Sequence, residues 1–275
     1  MKNGILTFLV IVAGLFMSVA RADVLVLVHG YLGSAHTWDA SGITAVLERH
    51  GWQRAGVFVT GPAGTRLIPA HGGAAQRKYY TVDLPSEAPV QIQAFQLRQI
   101  LKSINTLHVN ESISIAGHSA GGVVARVVLV RGDIDNIKTL ITIASPHLGT
   151  GRAEQALDVT DIPFPLSIVT DIFGGATYDT AMRSRSLFVD LVRQRPGTLL
   201  FWLNNQPHPD IEYFSVVRGQ PTIISGDYVV PGYSQDMNNV PALRGRSSLV
   251  KVNNDNHGLN VLDGNVIVSV LAGTI

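Results

Sequence analysis

Ser119 lies in Gly117-His118-Ser119-Ala120-Gly121, a G-x-S-x-G pattern fed by the apolar run Ile113-Ser114-Ile115-Ala116 and followed by small, apolar residues over 120–130. Glycine is common in this chain, 27 of 275 residues, so the five-residue match alone says little. Its setting says more. Strand, tight turn and helix in succession would project a serine hydroxyl from the end of a sheet, near the positive end of a helix dipole. The flanking positions must then be small, so that strand and helix can approach each other. The chemistry open to such a serine is nucleophilic attack, provided that an imidazole takes its proton.

The base follows from chain order. Hydrolases with this elbow order their triad as serine, acid, histidine. Of the nine histidines, His29, His36, His50, His71, His108, His118, His147 and His208 all precede Asp227, and only His257 follows it. His257 sits in the polar stretch Asn253-Asn254-Asp255-Asn256-His257-Gly258, directly after the strand-like Leu249-Val250-Lys251-Val252, so it is presented at a strand end. The alternative is a histidine on a surface loop. The acid must fix the imidazole tautomer and stabilise the imidazolium. Asp227 is favoured because the apolar Thr222-Ile223-Ile224 leads into it, whereas Asp236 has no strand before it and Asp255 is too close to His257 in sequence. Asp210 and Glu212 are further competitors, and a structural turn aspartate is the other reading of Asp227.

An acyl-transfer site also needs backbone N–H groups aimed at the developing oxyanion. The residue after the nucleophile, Ala120, supplies one. His29-Gly30-Tyr31, after the first apolar run, matches the loop expected to supply the other, and His29 itself is expected to pack and hydrogen-bond that loop. His71-Gly72-Gly73 does not follow an apolar strand and reads as an exposed loop. His147 precedes the acid and reads as a hydrogen-bonded turn histidine.

Five stretches in this order, His29-Gly30-Tyr31-Leu32-Gly33, 117–122, 144–150, 225–231 and Asn256-His257-Gly258, resemble the α/β-hydrolase superfamily, most of all its bacterial lipase and GPI-inositol-deacylase-like branch. The resemblance spans residues 23–275, with only generic likeness over 149–210. It implies an α/β-hydrolase fold, a Ser119–Asp227–His257 triad and a backbone oxyanion hole from Tyr31 and Ala120. It also implies that Ser145-Pro146-His147-Leu148-Gly149 shapes the pocket floor. Some lipases of that group hold a structural calcium between paired aspartates near the acid and the base. Here Asp255 precedes His257 instead of following it, so the pattern is broken; no metal and no cofactor are expected.

The elements needed to position these residues are legible as periodicity. Val24-Leu25-Val26-Leu27-Val28 and Leu140-Ile141-Thr142-Ile143-Ala144 join 113–116 as short apolar runs, the mark of strands buried on both faces. Val57-Phe58-Val59, Tyr79-Tyr80-Thr81-Val82 and Tyr213-Phe214-Ser215-Val216-Val217 are further candidates. Val90, Leu97, Ile100, Leu101 and Ile104 recur at helical spacing, and 120–130 reads as a buried helix. Strands alternating with helices imply βαβ units and a mostly parallel sheet with helices on both faces. Residues 149–210, rich in proline and glycine and with helix-like pieces near 167–173 and 186–195, read as a small helical cap inserted over that sheet.

Composition narrows the classes. Hydrophobic residues make up 46% and charged residues 15%, so a buried core is expected. Lys+Arg is 21 against Asp+Glu 20, with no basic run, which argues against a nucleic-acid partner. The absence of cysteine excludes disulfides, thiolate metal sites and a cysteine nucleophile. Lys2, the apolar stretch 5–19 and Ala20-Arg21-Ala22 read as a signal peptide over 1–22, giving a mature chain from Asp23 exported to the periplasm or secreted. The stretch is shorter than the ~20 residues of a spanning helix.

The expected reaction is two-step hydrolysis of a carboxylic ester, small or lipid-like. Apolar side chains at Phe164, Leu166, Ile168, Ile172 and Phe173 would line the cap, and the protein would touch a membrane or lipid interface only transiently. An acyltransferase with the same triad and a catalytically inactive binding module remain as alternatives.

Overall fold

The computed structural model describes residues 23–61, 64–71, 75–161, 178–219, 227–253 and 256–275. Val24-Leu25-Val26-Leu27-Val28 forms β1 (Asp23–Val28), and all five of these side chains are fully buried. Its alternate residues serve opposite faces, as the two-residue period of a strand requires. Val24, Val26 and Val28 pack with Leu97, Ile100 and Val124, while Leu25 and Leu27 pack with Trp38, Ile43 and Ile267. An apolar run without alternation is therefore the signature of a strand covered on both sides.

The chain passes through α1 (Thr37–Ala40) and α2 (Ile43–Arg49) to β2 (Trp52–Gly61), β3 (Gly64–Pro69) and β4 (Arg77–Asp83). Then come α3 (Val90–Leu107), β5 (Ser112–His118), α4 (Ala120–Arg131) and β6 (Ile137–Ile143). Among the described residues, four helices follow before the next strand: α5 (Gly151–Asp161), α6 (Tyr178–Arg183), α7 (Arg185–Leu191) and α8 (Leu199–Asn204). The chain continues with β7 (Glu212–Arg218), α9 (Gly232–Gln235), two short 3₁₀ turns, β8 (Ser247–Val252) and α10 (Val261–Leu271). The strand order is β3-β2-β4-β1-β5-β6-β7-β8, parallel throughout except for the antiparallel edge pair β2–β3.

Parallel registry brings the functional stretches together. Val28 lies opposite Gly117, Gly117 opposite Thr142, Ile143 opposite Val216 and Arg218 opposite Val252. The loops leaving β1, β5, β6, β7 and β8 therefore emerge at one carboxyl edge, where ligands of open α/β sheets bind.

Two expectations change, and an edge strand is added to them. The strand at 57–59 is longer than its apolar centre, and β3, mostly exposed and apolar only over Leu67-Ile68-Pro69, folds back on it as an edge strand. The helix expected over 186–195 stops at Leu191, because the Leu191 carbonyl accepts the Thr150 N–H (3.0 Å) and Gln194 N–H donates to the Leu148 carbonyl (3.1 Å). Gly149, at φ 85°, permits this pairing: a Cβ there would lie 2.2 Å from the Val192 carbonyl oxygen. The stretch 1–22 read as a signal peptide, the strand expected at 222–224 and the helix expected near 167–173 with its apolar side chains lie outside the described residues.

Asp190 on α7 accepts the first N–H of α3, from Val90, at 2.8 Å, the tertiary equivalent of an N-cap. Burial pushes its carboxyl up to about 6, against the lowering effect of the Val90 N–H. The native state then keeps a proton that the unfolded chain has lost, so this group's contribution to stability falls as pH rises from about 4 through about 6. Asp190→Asn keeps an acceptor and discards the buried charge. Its melting temperature is expected to exceed wild type at pH 8 and to match it at pH 4. A variant less stable than wild type at pH 8 would show that the helix dipole outweighs the burial cost.

Candidate active site

The turn at Ser119 is built by glycine contacts. Ser119 sits at φ 52°, ψ −127°, a strained conformation for a non-glycine residue, and its N–H is fixed to the Ile143 carbonyl at 2.8 Å. A Cβ on Gly117 would lie 2.7 Å from Gly122 Cα, one on Gly121 2.3 Å from the His29 carbonyl oxygen, and one on Gly122 2.2 Å from Ser145 Oγ. The glycines thus let α4 press against β5, the β1 loop and the β6 loop at once. That packing holds the strained turn in place.

His257 Nε2 stands 2.8 Å from Ser119 Oγ, and His257 Nδ1 stands 2.8 Å from Asp227 Oδ2. With Nδ1–H donating to the carboxylate, Nε2 carries the lone pair and faces the hydroxyl. The Asp227 side chain is shielded from solvent. Its Oδ1 accepts N–H groups of Val229 (2.8 Å) and Val230 (2.5 Å), and its Oδ2 also accepts the Gln235 amide at 3.2 Å. The competing acids are engaged elsewhere: Glu212 accepts from Thr139 Oγ1 (2.9 Å), Asp236 from Asn238 N–H (2.9 Å), and Asp210 faces Arg246. Asp255 is outside the described residues.

Gln235 is a neighbour that sequence reasoning missed. Its amide also donates to the Val230 carbonyl (2.8 Å), while its oxygen accepts Arg218 N–H (2.8 Å), so it braces the turn that carries Asp227. Nothing in the polar run 234–239 marks it out.

The β1 loop lies against the serine: a Cβ on Gly30 would fall 2.7 Å from Ser119 Cβ. Tyr31 follows, with its ring edge-on to Phe188 of α7 (centroids 5.3 Å), and Ala120 opens α4 on the serine's other side. His29 donates from Nδ1 to the Gly30 carbonyl (2.9 Å) and accepts Leu84 N–H at Nε2 (3.0 Å), which fixes it as a neutral brace; burial lowers its pKa. His71 is exposed.

His147 is fully buried, accepting from Arg126 Nη1 (3.3 Å) and donating to Thr142 Oγ1 (3.0 Å), and burial holds its pKa well below that of an ordinary imidazole. Arg126 also donates to His208 and to Asn204 Oδ1 (2.9 Å). It is buried without a carboxylate partner among the described residues, and burial depresses its pKa to about 9. This network ties α4 to α8 beneath the site.

A cavity of about 330 Å³ opens beside Ser119 and His257, lined mainly by apolar groups that include Tyr31, Leu32, Pro146, Ala153, Phe188, Leu191 and Val230. Among the described residues no cluster of three or more His, Asp or Glu side chains could hold a metal ion, and no helix is long and apolar enough to cross a membrane.

A family model described as PGAP1-like alpha/beta domain matches residues 20–160. The chain belongs to the PGAP1-like alpha/beta domain family. The match covers the β1 loop, the Ser119 turn and the β6 loop of this PGAP1-like domain; Asp227 and His257 lie beyond it. No curated protein matches this chain in sequence. Among solved structures it is similar to a Bacillus licheniformis lipase in mature form (TM-score 0.58, 15% identity, 93% of this chain and 92% of that chain). It is also similar to a lipase-esterase related protein of Clostridium acetobutylicum (0.56, 15%, 93% and 95%) and to Est1E of Butyrivibrio proteoclasticus (0.55, 14%, 93% and 89%). At such identities the likeness is one of fold, and the fold is that of the α/β-hydrolases.

Proposed function

We propose that this protein is a serine hydrolase that cleaves carboxylic esters with an apolar acyl group through an acyl-enzyme on Ser119. The observation that carries the reading is the relay of two 2.8 Å contacts from Asp227 through His257 to the Ser119 hydroxyl, facing an apolar cavity. Ser119 Oγ attacks the carbonyl carbon while its proton passes to His257 Nε2. The Tyr31 and Ala120 backbone N–H groups receive the oxyanion, and Asp227 stabilises the imidazolium. Collapse breaks the ester C–O bond, and His257 protonates the departing alcohol. Water then attacks the acyl-enzyme, giving its proton to His257, and the second collapse frees the acid and restores Ser119.

The segment 149–210 acts as a cap. Ala153, Phe188 and Leu191 from its helices line the cavity with Ser119, which supports an acyl chain lying between cap and sheet edge. Residues 1–22 are read as a leader that directs export and is removed.

The test is a series of p-nitrophenyl esters on the mature chain from Asp23, together with labelling by a fluorophosphonate. Hydrolysis with labelling at Ser119 is expected. Labelling without release to water, but with transfer to an alcohol, would mark an acyltransferase; neither labelling nor turnover would mark an inactive fold. Chain-length preference offers a further prediction. Ala153 is buried in the cavity wall, so Ala153→Leu should displace the far methylenes of a longer chain. At about 0.8 kcal/mol per buried methylene, losing two lowers the octanoate-to-acetate ratio of kcat/KM roughly tenfold. An unchanged ratio would put the acyl chain elsewhere.

A further inference from the structure

We infer that His118, the residue before the nucleophile, is a positioning residue that fixes the backbone of His257 relative to Ser119. This rests on the proposed role of Ser119 and His257. Asp227 holds only the imidazole ring, through Nδ1. His257 itself stands on the loop between β8 and the Asn260 N-cap of α10, and a ring tethered at one nitrogen can still move if that loop rocks.

Two successive carbonyls of the loop are gripped from the sheet. His118 Nε2–H donates to the His257 carbonyl at 2.9 Å, and Arg218 Nη2 donates to the Gly258 carbonyl at 3.1 Å. Both donors are buried side chains at strand ends. Arg218 is locked by a bidentate pair with Asp263 (2.5 and 2.8 Å), whose carboxylate also accepts Asn260 N–H at 2.9 Å.

His118 differs from Arg218 in one respect that decides its role. It is the last residue of β5, covalently adjacent to Ser119, so its hydrogen bond ties the base's backbone to the strand end that carries the nucleophile. Any displacement of β5 against β8 then moves Oγ and Nε2 together. The donor must also be neutral. The two rings lie 5.1 Å apart, and a second cation there would oppose the imidazolium that forms on His257. Burial, then the charge of His257, holds the His118 pKa well below that of an ordinary imidazole, so it stays neutral. An imidazole is therefore a suitable residue type here: a rigid donor that reaches the carbonyl without bringing charge.

The experiment compares full mature wild type, His118→Leu and His118→Gln. Gln places an amide N–H near the position of Nε2, whereas Leu removes the donor and keeps the bulk. A misplacement of about 1 Å costs roughly 10²-fold in rate. His118→Leu is therefore expected to lower kcat on a short p-nitrophenyl ester by roughly that factor with KM within about threefold, and to slow fluorophosphonate labelling in parallel. His118→Gln is expected to recover most of the loss at an unchanged melting temperature. Amide hydrogen exchange over 256–259 provides an arm independent of turnover, with faster exchange in the Leu variant and near wild-type exchange in the Gln variant.

A His118→Leu enzyme that melts like wild type with kcat within threefold would overturn the inference. So would a Gln variant no better than Leu, since ring packing and not the hydrogen bond would then matter. If wild type itself neither hydrolyses esters nor takes the phosphonate, the functional reading fails instead. Unchanged loop exchange in the Leu variant would then reject the brace on its own terms.

Discussion

Ser119→Ala is expected to abolish ester turnover, with kcat falling on the order of 10⁵–10⁶-fold, the scale seen when the nucleophile of a worked serine hydrolase is removed. Alanine keeps the Cβ that rests against Gly30 and leaves the glycine contacts of the turn untouched. The strained φ of 52° is no worse for alanine than for serine, and the Ile143 carbonyl still holds the backbone N–H. The fold should therefore survive with a melting temperature near wild type. What disappears is the oxygen proposed to attack. His257 Nε2 loses its partner but faces the cavity, where water can satisfy it. Residual activity would then come only from the oxyanion hole and binding, without covalent catalysis. The measurement is kcat on a short ester together with fluorophosphonate labelling. Activity within about tenfold of wild type would exclude Ser119 as nucleophile.

The largest stability effect is expected at Asp263. Arg218 and Asp263 are both fully buried and form a bidentate pair. A buried ion pair contributes little against an apolar replacement, but removing one member strands the other, at about 3–5 kcal/mol. Among the described residues, Asp263→Ala leaves the Arg218 guanidinium with the Gly258 carbonyl alone, since Nε already lacks a partner there. It also removes the acceptor for Asn260 N–H, breaking the capping box of α10. At roughly 2–4 °C per kcal/mol for a domain near this size, the melting temperature should fall by about 10 °C. Activity should fall at temperatures below the transition, because the His257 loop loses an anchor. Asp133→Ala is the control: Asp133 pairs with Arg98 and Lys102 at the surface, where solvent screens the charges. That variant should melt close to wild type. If the two behave alike, burial of the Arg218 pair is not what makes it matter.

Several of these features could be read from residue order and type. A strand covered on both faces must be apolar at every position, so β1, β5 and β6 stood out as uninterrupted runs. The turn at Ser119 demands small neighbours because three backbone segments meet there, and a run such as Gly117-His118-Ser119-Ala120-Gly121-Gly122 is conspicuous for that reason. Chain order singled out His257, since no other histidine follows the candidate acids. Edge strand β3 was not legible, because one exposed face removes the apolar signal. The end of α7 was invisible too: its last turn has helical residues, and only the competing hydrogen bonds from 148–150 stop it at Leu191.

Selection among like groups was left to the tertiary structure. Asp210, Glu212, Asp227 and Asp236 are all carboxylates near β7 in sequence, and only folding decides which meets His257 Nδ1. The same holds for Gln235 behind Asp227, for His118 against the His257 carbonyl, and for the pairing of Arg218 with Asp263. Each such contact joins segments of the chain brought together by the parallel register of β5, β6, β7 and β8. Short-range periodicity reports which side of an element is buried. It carries no information on which polar atom, many residues away, will stand within hydrogen-bond reach, because that is fixed only when the strand ends converge on one edge of the sheet.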